Sequence, residues 1–276
     1  MSSTVADGGG KQDVDNNEPA ARVSLNLRHD AAVVAALQTD VFERALAMCA
    51  RGVPSSTIEV EAKVRVGSGG TGATRAAFEA VLDGCARYRG WTHADAAWRD
   101  TEDISLGDAD GDMRCTRDPS NGGMCQFVRK RAVADVDVGV VVTGGGDAPA
   151  WVRFSLRTET RIDNPPAARQ RWVRVKKRRS FVLADRWRID LTRVWSGETS
   201  TQAHQQAEPT YEIEIECLGV DRHAPPPAAE PHVARSRHLA EAMLCKVDDV
   251  VRLLLPALTP AAATPLSFSY ALIQKQ

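Results

Sequence analysis

Tyr211-Glu212-Ile213-Glu214-Ile215-Glu216 alternates carboxylates with β-branched apolar residues at a period of two. A strand sends successive side chains to opposite faces, so Glu212, Glu214 and Glu216 share one face and Ile213 and Ile215 the other. Three like charges along one face repel each other, and water, cations or a basic strand must offset that repulsion.

Other strands of the chain carry the same pattern. Ile58 to Val64 places Glu59, Glu61 and Lys63 opposite Ile58, Val60 and Val64. Arg171 to Leu183 sets Arg174, Lys176 and Arg178 against Val173 and Val175. Trp187 to Trp195 groups Arg188, Asp190 and Thr192 against Ile189 and Leu191. Trp151 to Arg161 aligns Arg153, Ser155, Arg157 and Glu159 against Val152, Phe154 and Leu156. Taken singly, each is an ordinary half-solvated strand with its polar side out. Taken together, the polar faces are nearly single-signed, whereas a merely soluble surface intersperses its charges. A closed antiparallel barrel turns such faces inward around a polar bore and leaves the aliphatic faces to be covered by helices. Rows of Lys and Arg in that bore match phosphate oxygens, and clustered carboxylates match Mg²⁺ or Mn²⁺.

The rest of the chain fits this frame. Residues 1–21 are polar and Gly-rich, the composition of a disordered tail. Helical spacing predicts helices over His29–Arg51, Ala73–Arg87 and His232–Leu254, the last with Leu239, Met243, Val247, Val250 and Leu254 as its apolar stripe. Turn signals at Asp110-Gly111 and Asn121-Gly122-Gly123 bracket a strand near 112–117, whose partner runs from Cys125 to Val142. Further breaks fall at Gly144–Gly146, Asn164–Pro166, Ala184–Arg186 and Pro225–Pro231, and the piece after Pro256 is irregular or extended. With no repeat of fixed period, residues 22–276 read as one α+β, mainly β domain: an antiparallel sheet system with two or three packed helices.

Composition narrows the function classes. Lys+Arg at 35 against Asp+Glu at 36 leaves no global field toward nucleic acid or membrane, so the local sorting of charge carries the chemistry. The six cysteines form no C-x-x-C pair or zinc spacing and read as free, mostly buried thiols. No apolar run is long enough for a membrane span, and the N-terminus lacks a secretory h-region.

The ordered set Glu59-x-Glu61, Arg174-x-Lys176-x-Arg178-Arg179-Ser180-Phe181, Trp187-Arg188-x-Asp190-x-Thr192 and Glu212-x-Glu214-x-Glu216 resembles the triphosphate tunnel metalloenzymes, in particular the yeast- and protozoan-type mRNA-capping RNA 5′-triphosphatases. The resemblance covers roughly residues 55–220 and implies a closed eight-stranded antiparallel β tunnel. It implies hydrolysis of the γ-phosphate of triphosphate-ended RNA, the first step of capping, with nucleoside triphosphates as further substrates under manganese. Glu59, Glu61 and Glu216 would bind Mg²⁺ or Mn²⁺. Arg174, Lys176, Arg178 and Arg188 would hold phosphates, with Arg114 and Lys130 as helpers. Glu159, Asp190, Glu212 and Glu214 would position water or basic side chains, and Thr192 stands in the same catalytic set. The capping role implies a nuclear protein and a guanylyltransferase partner, although no extended Trp-rich segment of the fungal recruiting kind occurs in this sequence. Lys63 gives the first strand an E-x-E-x-K form that also suits the branch acting on thiamine triphosphate or inorganic triphosphate. A non-catalytic polyphosphate or RNA binder would use the same basic rows, but the Glu rows would repel its ligand.

Several signals are set aside. Asp108-x-Asp110-x-Asp112 lacks the Gly and Glu of a calcium loop, since Met113 and Pro119 stand at those positions. Gly67–Gly72 lacks the Lys-Ser/Thr ending of a P-loop and reads as a flexible linker. The scattered histidines form no ligand pair, Lys176–Arg179 reads as strand rather than an import signal, and Trp91, Trp98 and Trp151 are expected to pack between sheet and helix.

Overall fold

The computed structural model describes residues 22–23, 27–66, 72–108, 111–140, 150–163, 165, 167–223 and 232–258. The 1–21 tail, the Gly144–Gly146 turn, the Pro225–Pro231 loop and most of the 67–72 linker lie outside them, as does the chain after 258.

In chain order the elements are β1 (Arg22–Val23), α1 (Ala31–Ala36), α2 (Arg44–Ala50), β2 (Ile58–Val66), α3 (Arg75–Arg87), β3 (His93–Ala94), β4 (Arg99–Asp108), β5 (Gly111–Arg117), β6 (Cys125–Val140), β7 (Ala150–Arg161), β8 (Arg169–Leu183), β9 (Trp187–Gly197), α4 (Ser200–Gln205), β10 (Thr210–Cys217) and α5 (His232–Leu258). A π-helical stretch, Leu37–Glu43, joins α1 to α2, so the helix expected over 29–51 is one run with a wide turn inside it. The Asp30 carboxylate caps this run by accepting from the Ala32 and Val33 amides, and Thr74 caps α3 by accepting from Ala77. Besides the two-residue strands β1 and β3, two elements carried no sequence signal: β4, which is polar on both faces at its start, and the single-turn-scale α4.

Eight strands hydrogen-bond in the order β6-β5-β4-β8-β9-β10-β2-β7, and β7 pairs back onto β6. The barrel is therefore closed, and every pairing in that ring is antiparallel. β3 continues the β4 side of β8, and β1 adds two residues parallel to the end of β6. Closure removes the edges at which an open sheet would template another chain.

The apolar core lies outside the barrel wall. Along β2 the burial alternates strictly: Ile58, Val60, Ala62, Val64 and Val66 are buried under the helices, and Glu59, Glu61, Lys63 and Arg65 take the other face. Ile213 and Ile215, Ile189 and Leu191, and Val152, Phe154 and Leu156 join them in one cluster with Leu37, Phe42, Phe78, Leu239 and Met243. α5 is buried beyond its expected stripe: Ala240, Leu244 and Val251 are also inside, because α3 and the π-helical stretch both pack on it. Gly84 of α3 meets α5 so closely that a Cβ there would sit 2.0 Å from Leu253 Cδ2. Trp91 packs on Tyr88 and Phe181, and Trp98 stacks on Phe78, as expected of sheet-to-helix packing. Trp151 differs, since its pairing opposite Arg65 puts it on the bore side of the wall.

Candidate active site

The registers decide which side chains meet. Glu216 pairs with Glu61 on β2 and with Arg188 on β9; Glu214 pairs with Lys63 and Asp190; Glu212 pairs with Thr192. Directly opposed residues share a face. The acidic row of β10 thus lies between a mixed row on β2 and a second mixed row on β9. The row of β8 follows, with Arg178 opposite Thr192 and Ser180 opposite Asp190.

Inside the bore these rows line a cavity of about 290 Å³. Glu59, Glu61, Glu159, Glu214, Glu216 and Asp190 face Arg114, Arg178 and Arg188 across it, six carboxylates against three guanidinium groups. Lys130 reaches the same wall, contacting Glu59 and lying 3.6 Å from Glu159. Deeper along the bore, Arg174 pairs with Glu212 at 2.7 Å, and Lys63 bridges Glu214 at 2.7 Å and Glu212 at 3.6 Å. Every residue expected at the site is on the bore side of its strand; Arg174, Lys176, Thr192, Glu212 and Lys130 support the cavity from behind rather than lining it.

The acids also hold the bases in place. Asp190, only 2% exposed, accepts from Arg178 at 3.0 Å, from Arg188 at 3.0 Å and from the Ser180 hydroxyl at 2.7 Å. Thr192 Oγ1 accepts from Arg178 Nε at 3.2 Å. Arg114 donates to Glu159 at 3.0 Å, and Arg188 also contacts Glu216. These bonds fix the guanidinium planes toward the cavity before any ligand arrives.

One partner went unforeseen. Lys176 is buried against Asp103 of β4, and Asp103 also accepts from Thr116 at 2.7 Å. Asp103 lay in Asp100-Thr101-Glu102-Asp103, where polar residues on both faces hide the strand period. Lys63, noted as a sequence variant of the first strand, proves to be a central cation of the network.

Electrostatics follow from this packing. Burial raises the Glu61 carboxyl, Glu214 and Glu59 add to it, and the result is about 7. Glu216 also reaches about 7: burial dominates, Arg188 opposes it, and Glu59, Asp190 and Glu61 push the same way as burial. Glu214 goes the other way. Burial works against its charge, but Lys63 and Arg178 outweigh that and hold it well below the usual carboxylate range. Burial lowers Lys176, with Asp103 opposing, while Asp103, despite its own burial, is lowered by Lys176 and Arg114. The cavity therefore holds more acid than its bases neutralise. Among the described residues no three metal-binding side chains converge into a ready-made cage. A Mg²⁺ site that draws on one or two carboxylates, waters and substrate phosphates needs no such cage, and oxygen donors from among Glu59, Glu61 and Glu216 would suit a hard divalent cation.

Fold and site together define a class: a triphosphate tunnel protein, a closed antiparallel barrel whose bore opposes basic and acidic rows. Residues 88–224, just under half of the chain, match the family model described as mRNA capping enzyme, beta chain. The matched segment spans β3 to β10 and leaves β2, with Glu59 and Glu61, outside it. Among solved structures, the S. pombe Pct1 RNA triphosphatase is 15% identical, with 79% of this chain and 89% of that chain covered at a TM-score of 0.50. The same protein in complex with the Spt5 CTD gives 16% identity, 79% and 90% coverage and a TM-score of 0.50. The triphosphatase domain of a mimivirus mRNA capping enzyme is 14% identical, with 75% and 98% covered at a TM-score of 0.48. No curated protein sequence matches the chain.

Proposed function

We propose that this protein is a metal-dependent RNA triphosphatase that removes the γ-phosphate of nascent, triphosphate-ended mRNA as the first step of cap formation. The observation that carries this reading is the cavity itself: three fixed guanidinium groups suit a polyphosphate, yet six carboxylates would repel it. A divalent cation bound with the triphosphate would cancel the excess.

Arg114, Arg178 and Arg188 grip phosphate oxygens, and Lys176 and Arg174 extend the positive wall behind them. Glu59, Glu61 and Glu216 would hold Mg²⁺ or Mn²⁺, which would neutralise charge on the transferring phosphoryl group. Asp190, Glu159 and Glu212 orient the basic side chains. Glu214 stays ionised and accepts a hydrogen bond from the attacking water. Water oxygen bonds to the γ-phosphorus, the bond to the β–γ bridging oxygen breaks, and the water's proton leaves on inorganic phosphate. A weak base suffices, because phosphoryl transfer runs through a loose transition state and depends on positioning and charge.

The role places the chain in the nucleus beside a guanylyltransferase that acts on its diphosphate-ended product, and it admits nucleoside triphosphates as manganese-supported substrates. The test is phosphate release from triphosphate-ended RNA, nucleoside triphosphates and inorganic triphosphate, with Mg²⁺, Mn²⁺ or chelator. Metal-dependent release from RNA is expected. Preference for inorganic or thiamine triphosphate would move the chain to the other branch of the fold. Tight, metal-independent RNA binding without turnover would make it a binder.

A further inference from the structure

Away from the bore, the β5–β6 hairpin brings two cysteines together on the outer face of the wall. Arg117 pairs with Cys125 and Cys115 with Phe127, so Cys115 and Cys125 are diagonal neighbours on one face. Cys115 is buried with Ile104 and Val173, whereas Cys125 is exposed. Across the ladder Arg117 stands directly opposite Cys125, with Cys115 diagonal to it on the same face. Arg117 in turn lies 3.5 Å from Glu102.

We propose that Cys125 and Cys115 form an oxidisable dithiol, a modification site at which hydrogen peroxide oxidises Cys125 and Cys115 closes the disulfide. The neighbouring Arg117, and then Cys115, lower the Cys125 thiol, which favours the thiolate that reacts. Burial, and then the Cys125 contact, push Cys115 up to about 12, so it waits as the resolving thiol. In the first step the Cys125 sulfur attacks one peroxide oxygen, the O–O bond breaks, and the departing hydroxide takes a proton and leaves as water. In the second, the Cys115 sulfur attacks the Cys125 sulfenic sulfur, S–S forms, S–O breaks, and the hydroxide leaves with the Cys115 proton as a second water. Two thiols are oxidised and one peroxide is reduced.

The geometry permits closure. Diagonal positions sit about 7–8 Å apart between Cα atoms, and a disulfide takes about 4.4–6.8 Å. Cys125 is the first residue of its strand, and Gly122 and Gly123, with φ of 65° and 71°, precede it. A shift of about 1 Å costs little at the last pair of the ladder, beside the turn. The other face of β5 carries Arg114 and Thr116, so the dithiol lies directly behind the phosphate wall.

The experiment treats the full chain with hydrogen peroxide, blocks free thiols with N-ethylmaleimide and maps the peptides by mass spectrometry. One intramolecular Cys115–Cys125 link, reversed by dithiothreitol, is expected, with Cys49, Cys85, Cys217 and Cys245 still free. Cys115→Ser should leave Cys125 as a sulfenic acid trapped by dimedone, and Cys125→Ser should leave Cys115 unoxidised. Should the Cys115 variant fail to fold, phenylarsine oxide on the unaltered chain serves instead: it bridges paired thiols and should protect both cysteines from alkylation together. An unreactive Cys125, a link between two molecules, or protection of neither cysteine overturns the proposal.

Discussion

Asp103 shows what one buried charge costs when its partner is lost. It and Lys176 are each 6% exposed and face each other inside the wall. Asp103→Ala leaves the ammonium buried and unpaired, and a loss of about 3–5 kcal/mol is expected by chemical denaturation. Replacing both residues with apolar ones of similar volume should restore most of that, because the pair's desolvation disappears with it. The Asp103 carboxyl is held below its usual value in the folded protein, so its contribution is full above the ordinary carboxylate range and fades as pH falls through the lowered value. Acid unfolding of Asp103→Asn should therefore begin from a lower plateau and be less steep. At the cavity, Glu59→Ala, Glu61→Ala and Glu216→Ala should each cut phosphate release by roughly 10²-fold or more, the scale of a lost electrostatic contact at a reacting centre. Near-normal rates in all three would sink the metal assignment while leaving the fold untouched.

At the scale of elements, the β8–β9 hairpin carries local strain. Ala184 and Asp185 both take positive φ, 51° and 54°, in a turn closed by the Arg186 amide donating to the Leu183 carbonyl. Asn tolerates that region better than Ala. Ala184→Asn should raise stability by up to about 1 kcal/mol, read as a modest increase in melting temperature with unchanged phosphate release. β2, β7, β9 and β10 were legible because each buries one face against the helices. β4 was not, because Arg99 to Asp103 are polar throughout and the strand takes its place only by pairing with β5 and β8. The π-helical stretch was invisible for a different reason: spacing at three and four residues does not register one wide turn inside a helix.

For the whole molecule, the bore concentrates charge that the fold alone does not balance. Glu61 and Glu216 titrate near 7 in the folded chain against about 4.5 for free Glu. A carboxyl raised on folding stabilises while protonated, so the metal-free protein should lose stability as pH climbs through 7. Mg²⁺ or Mn²⁺ should offset that loss, and its effect on melting temperature should be larger at pH 8 than at pH 6, on the order of several degrees. A melting temperature indifferent to chelator across that range would separate the acidic cluster from metal binding.

Sequence by itself determined the local alternation: which residues of β2, β7, β8, β9 and β10 lie on the charged face and which on the aliphatic one, since a period of two is a property of the strand backbone. It could not determine which charged residues meet. Strand order and register did that, setting Glu216 beside Arg188 and Glu61, Lys63 between Glu212 and Glu214, and Asp103 against Lys176. Those pairings join residues as far apart as Lys63 and Glu214, and only the pairing of β2 with β10 brings them within a few ångströms. Whether a charged row faces water or a bore depends on which side the helices cover, and that is settled by packing across the whole chain.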